Sequence, residues 1–307
     1  MKKIPVGRVI AQAFGFVVRN FLNILGIMAI PMAVMWVPSF LLRPQMMAAS
    51  AGMAAQDYSQ IARLWAILLP FYAVGFVLMA MQFIGIAELA LGTKKAPHWF
   101  YFSLGAPVWR LVGSVLFLIL VIVLGWLAAL FVNVMLGAVL KILMGGSTAG
   151  WVAALVGAIV LVGSVVIWCA DLYSLVRLGF LLIPVIAARE PGFGVAQGWA
   201  LGRGNFWRMF AILLVNWLPV IVLEGIAVFG VMFSGASFPP PHAPAAQTAA
   251  FQAATQERVM HMMTGIYQYW YITLPVFVVL MVLFYGFGVG VQVFAYRALA
   301  SDEITGG

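Results

Sequence analysis

Six apolar runs, each long enough to cross a bilayer, leave this chain little choice of architecture. They cover roughly Phe21–Leu42, Leu64–Leu91, Leu111–Leu140, Trp151–Ala188, Met209–Phe233 and Thr264–Tyr296. About 20 apolar residues suffice to traverse a hydrocarbon core, so each run qualifies. Only 8% of the 307 residues are charged and 65% are hydrophobic, whereas a soluble domain carries about 25% charged residues. The predicted fold is an all-α integral membrane protein with six transmembrane helices paired as three hairpins. These make a single membrane domain, 1–307, with interfacial amphipathic helices on the cytoplasmic face. The fourth run is overlong: as one helix, Trp151–Ala188 would extend ~57 Å against a core of ~30 Å. It has to tilt, bend near Pro184 or continue into the cytoplasm.

The basic residues set the expected orientation. With the N-terminus inside, the cytoplasmic segments hold Lys2, Lys3, Arg8, Arg19, Lys94, Lys95, Arg110, Arg177, Arg189, Arg203, Arg208 and Arg297. The opposite side holds Arg43, Arg63, Lys141 and Arg258. This bias predicts both termini in the cytoplasm. The net charge of +8 then belongs to loops beside an anionic leaflet, not to a nucleic-acid interface. Arg8, Gln12 and Arg19 interrupt what would be the apolar core of a signal peptide, so no cleavage is expected. The outer connections are expected at 43–63, at the tight turn 145–150, and at a periplasmic loop 234–263 that opens on Pro239-Pro240-Pro241. Trp99–Tyr101 and Tyr267–Tyr271 read as rings seated at the headgroup level.

Residues 4–21 predict a helix lying on the membrane. Val6, Val9, Ile10, Ala13, Phe14, Val17 and Phe21 recur on one side, and Arg8, Gln12, Gly15 and Arg19 on the other. Related lead-ins recur before later spans. Pro5 runs through Ala11-Gln12-Ala13-Phe14 to Arg19-Asn20-Phe21, Pro97 runs to Trp109-Arg110, and Pro191 runs through Ala196-Gln197-Gly198-Trp199 to Arg203-Gly204-Asn205-Phe206. The expectation is a threefold unit of lead-in plus hairpin over 4–91, 96–188 and 190–300, like the parallel repeats of some transporters.

Arg189-Glu190-Pro191-Gly192, Gly198-Trp199 and Arg203-Gly204-Asn205-Phe206-Trp207-Arg208, preceded by Val176-Arg177-Leu178 and Leu182-Ile183-Pro184, resemble the glycerophosphoryl diester phosphodiesterase membrane-domain family. The resemblance implies a multi-pass bacterial domain over nearly the whole chain, with no settled activity of its own. It departs from the family's pattern at Ala196-Gln197-Gly198, where a basic residue and a serine usually precede the Trp. No phosphodiesterase domain is expected within these residues, because the spans use them up.

Ionisable groups inside spans are the strongest functional candidates, since each costs about 2.5–3.5 kcal/mol at mid-bilayer. Glu224 lies near the centre of the fifth run, with Asn216 two turns earlier. Asp171 and Arg177 lie in the fourth run, about 120° apart around a helix, and do not pair. Glu88 is placed to meet Arg177 across helices. As a set, Glu88, Asp171, Arg177 and Glu224 make a candidate buried polar pathway, or structural bridges. Arg203, Asn205 and Arg208, braced by Trp199 and Trp207, make a candidate lipid-headgroup seat, since arginine suits phosphate; ordinary positive-inside anchoring is the alternative. Cys169 reads as an inert buried thiol. His98, His242 and His261 have no ligand spacing, so no metal is expected. There is no GxxxxGK[ST] loop for ATP, and no nucleophile motif stands out.

The expected function is therefore that of a non-enzymatic multi-pass inner-membrane protein, without cofactor, engaging phospholipid or a membrane partner through a basic cytoplasmic face. Its expected partners are membrane lipids, with a protein partner or a second copy of the chain as further candidates. The alternative is a small transporter or channel-like permease that uses Glu224 and Asp171.

Overall fold

The structure, a computed structural model, describes residues 2–42, 44–45, 58–93, 103–143, 150–188, 194–233 and 268–300, with isolated positions between 244 and 258. Among these the chain is all-helical: α1 (Val6–Arg19), α2 (Phe21–Leu41), α3 (Tyr58–Leu91), α4 (Ala106–Leu143), α5 (Gly150–Gly179), α6 (Leu182–Ala187), α7 (Val195–Leu201), α8 (Phe206–Phe233) and α9 (Trp270–Ala300). Five segments are long and apolar enough to cross a membrane by themselves: Ala62–Leu91, Ala106–Met135, Gly157–Ala187, Phe206–Ile226 and Trp270–Ala300. Helices α1 and α2, bent by 76° at Asn20, make a sixth when taken as one. The aromatic stretch Trp99–Tyr101, the prolines 239–241, Arg189–Phe193 and the three histidines lie outside the described residues.

The overlong fourth run is two helices. It breaks at Phe180–Leu181 and resumes as α6. Pro184 weakens the helix there: it has no N–H for the Phe180 carbonyl and its ring crowds that carbonyl, which kinks or breaks a helix. In the new first turn after the break the missing N–H costs nothing. The result is a short helix at the centre of the fold. Leu182, Pro184, Val185, Ile186 and Ala187 are all buried, packed against α3, α4 and α9.

Burial is concentrated at one end. Two apolar clusters meet there, one joining α1, α2, α3, α4, α6 and α9, the other joining Ile4, α1, the end of α5, α6, α8 and the end of α9. Beyond them the helices spread. The most apolar stretch of α4 buries none of its residues, and that of the α5–α6 segment 6%. Bilayer chains have no hydrophobic drive to pack apolar surface on apolar surface, so these outer halves suit a lipid environment.

The most extensive seam joins α1 to α9. Gly286 and Gly290 stand four apart on α9, and a Cβ at Gly290 would lie 3.3 Å from the Ala13 Cβ. A Cβ at Gly286 would lie 3.0 Å from Ile24 and 3.2 Å from Val17. This is close packing through small residues, as in GxxxG contacts. The face of α1 that meets α9 carries Val9, Ala13, Phe16 and Val17. Phe14, which periodicity groups with Val9, Ala13 and Val17 on one apolar side, is 62% exposed. Helix α1 is thus held lengthwise along the last helix.

Helix α3 ends in a Schellman motif: Thr93 N–H donates to Glu88 C=O and Gly92 N–H to Leu89 C=O, with Gly92 at φ 69°. Glycine takes that conformation without penalty. The Arg297 guanidinium, from the end of α9, donates to the Leu91 carbonyl and so places a cation on the negative end of the α3 dipole.

Candidate functional site

The turn between α7 and α8 was expected to present Arg203, Asn205 and Arg208 outward, and the structure divides them. Asn205 is 2% exposed, and its side chain grips the start of the chain. Its Oδ1 accepts from Ile4 N–H at 3.0 Å, and its Nδ2 donates to the Lys2 carbonyl at 3.0 Å and more weakly to Arg203 C=O at 3.4 Å. The first two bonds span more than 200 residues of sequence and satisfy backbone groups that α1 does not. Arg208 adds a donation to the Ile4 carbonyl at 3.3 Å. Meanwhile the Asn205 carbonyl opens α8 by accepting from Met209 N–H at 2.9 Å. Gly204, at φ 76°, makes the reversal that lets one residue do both.

Trp199 and Arg177 form a second clamp one helix away. Arg177 is buried, its guanidinium lies 4.1 Å over the Trp199 ring, and it donates to the Trp199 carbonyl at 3.0 Å. A 3.4 Å donation reaches the Tyr173 hydroxyl, while the Tyr173 ring packs 4.8 Å from that of Phe206. A desolvated cation over an indole face is a favourable arrangement. The partners of Arg177 among the described residues are therefore Tyr173 and Trp199, not Glu88, which corrects the expected pairing across helices. Glu88 is buried on α3.

The remaining ionisable candidates do not converge. Glu224, expected in the interior, is exposed on α8. Asp171 turns from α5 toward α4: its Oδ1 lies 3.8 Å from where a Gly125 Cβ would stand, and its Oδ2 is buried without a partner. Cys169, expected to be buried, is exposed on α5, because that helix meets few neighbours along its outer half. Among the described residues no group of three His, Cys, Asp or Glu side chains is placed to hold a metal.

Left outward at the compact end are Lys2, Lys3, Arg8, Arg19 and Arg203, with Trp207 at 74% exposure and Trp199 at 40%. The periodicity of α1 marked Arg8, Gln12, Gly15 and Arg19 as a polar face but gave no reason to treat it as a site. The structure makes it one wall of a recess of ≈ 490 Å³. No protein-family model matches the chain, and neither the curated proteins nor the solved structures contain a match. The resemblance to the glycerophosphoryl diester phosphodiesterase membrane domain rests on its motif residues alone.

Proposed function

We propose that this chain is a non-enzymatic, multi-pass protein of the bacterial inner membrane that engages anionic phospholipid through its compact, basic end. In this reading the six spans form three hairpins, both termini are cytoplasmic, and the compact end lies at the inner leaflet. The observation that carries it is the grouping of exposed Lys2, Lys3, Arg8, Arg19 and Arg203 with exposed Trp207 and Trp199, while Glu88, the acidic side chain described at this end, is buried. Cations at the inner surface attract anionic lipid by about 1 kcal/mol each, and indole rings favour the headgroup level. Asn205, Arg208 and Arg177 support the face rather than form it, because their polar atoms hold the N-terminus and α7 in place. Transport through Glu224 and Asp171 has less behind it, since one carboxylate is on the outer surface of α8 and the other is turned toward α4.

The test is lipid retention. Protein extracted from vesicles of equal phosphatidylglycerol and phosphatidylcholine should carry phosphatidylglycerol in excess by native mass spectrometry, and the excess should shrink as salt rises. Equal retention of the two lipids would remove the proposal.

A further inference from the structure

Two cavities flank α1, and the sequence assigns neither a role. The first is the ≈ 490 Å³ recess, walled by Arg8, Gln12, Arg19 and Asn20 and floored by Phe16 and Phe294. Its two rings stand edge to face with centroids 6.1 Å apart. Arg19 folds back along the helix, and its terminal nitrogen sits 3.7 Å from where a Gly15 Cβ would stand. The missing side chain at position 15 leaves room for the guanidinium beside Gln12, with Arg8 further along the same strip. Among the described residues no acidic side chain lines this recess. It offers guanidinium and amide donors over an apolar floor, a composition suited to a phosphate oxygen.

The second is an apolar groove of ≈ 630 Å³ between α1, α8 and α9, lined among others by Phe14, Leu223, Leu283 and Phe287. Among the described residues one polar side chain enters it. Asn216 is 7% exposed and packs on the bare backbone of Gly288, 3.2 Å from that glycine's absent Cβ. Its Oδ1 is sealed without a hydrogen-bond partner, and Nδ2 is the amide atom nearest Gly288. A lone polar group in an otherwise apolar cavity of this volume is how ligand sites fix orientation.

Ala11 lines both cavities, so they adjoin across its small side chain. We infer that α1 is straddled by one phospholipid. Its phosphate sits in the recess at Arg19, Gln12 and Arg8, its acyl chain lies in the groove, and an ester carbonyl accepts from Asn216 Nδ2. The site rests on the lipid-engaging function proposed above and moves its centre from the α7–α8 turn to α1. It also explains why α1 presents arginines on one side of α9 and an open apolar wall on the other.

The experiment is native mass spectrometry on full-length protein from the same mixed vesicles, comparing wild type with four variants. Arg8→Ala/Arg19→Ala should retain roughly tenfold less phosphatidylglycerol, the loss expected when a charged hydrogen-bond partner is removed. Ala11→Trp, which fills the saddle and leaves every cation in place, should lose a similar amount. Asn216→Leu should lose several-fold, and Arg203→Ala, a cation of the basic face outside both cavities, should lose less than the Arg8/Arg19 pair. A thermal melt of each variant in the same detergent reports folding, and a Gly15→Ser change offers a milder second block of the recess. If Arg203→Ala loses the lipid and the α1 variants keep it, the α1 site is wrong and the basic-face proposal survives. If wild type shows no preference for phosphatidylglycerol, both fall. If wild type retains inorganic phosphate added alone but no lipid, the recess is an anion site and the straddling lipid is refuted.

Discussion

Asn205→Ala should release the N-terminal segment while leaving the spans folded. The side chain removed makes two 3.0 Å hydrogen bonds to the backbone of Lys2 and Ile4. Ile4 is 1% exposed, so water cannot readily replace the partner of its N–H, and that loss costs about 1–3 kcal/mol. The Lys2 carbonyl lies on an exposed residue and is rehydrated more easily, so it adds roughly 0.5–1.5 kcal/mol. The sum, about 1.5–4.5 kcal/mol, corresponds to a roughly 12- to 1,600-fold larger opening constant for the segment. Hydrogen exchange reads this directly, because local opening governs exchange of a hydrogen-bonded amide. The peptide covering Ile4 should exchange faster by that factor in Asn205→Ala, while peptides from the middle of α3 and α9 stay unchanged. Asn205→Asp keeps an oxygen for Ile4 N–H and loses only the donor to Lys2, so it should fall between wild type and alanine. Identical exchange at Ile4 in wild type and Asn205→Ala would show that the clamp does not hold the N-terminus.

Three more outcomes are expected. Arg177→Lys keeps the charge but loses the planar stack on Trp199 and the donation to its carbonyl, and should lower stability by about 1–3 kcal/mol; a thermal melt identical to wild type would refute the clamp. Gly290→Leu should overpack the α1–α9 seam, where a Cβ already meets Ala13 at 3.3 Å, at a cost of about 1–3 kcal/mol. Gly157→Ala, where a Cβ meets nothing within 4 Å, should be neutral or up to about 1 kcal/mol stabilising, so equal melting of these two variants would refute the seam. In a Cys169→Ser background, Gln247→Cys should react with a membrane-impermeant thiol reagent in intact cells and Arg203→Cys should not; the reverse pattern would invert the proposed orientation.

The apolar runs foretold the helices because membrane length and composition are local properties of sequence. Even the break in the fourth run had a local contributor: Pro184 has no N–H for the Phe180 carbonyl, and the turn falls four residues before the proline. The candidate site was less legible. Asn205 and Arg208 looked like headgroup ligands because nothing local to residues 203–208 reveals that Lys2 and Ile4 return to meet them. Arg177 likewise finds its partner 22 residues away, across a break and a turn. The apolar face of α1 was read as a single surface, but only tertiary packing separates Val9 and Ala13, pressed to α9, from Phe14, left outward.

These misses share a physical origin that bears on function. Apolar helices in lipid gain little by touching one another, so they associate where close small-residue contact or hydrogen bonding offers something lipid does not. Here both occur at one end: glycines 286 and 290 against α1, Asn205 on Lys2 and Ile4, Arg177 on Trp199 and Arg297 on Leu91. Polar residues that looked free in the sequence are therefore the ones most engaged in holding the fold. Among the described residues, those with no such task, Arg8, Gln12, Arg19 and Asn216 with its unpartnered Oδ1, are the ones left for a ligand. That division places the binding chemistry beside α1, on a scaffold that the α7–α8 turn secures.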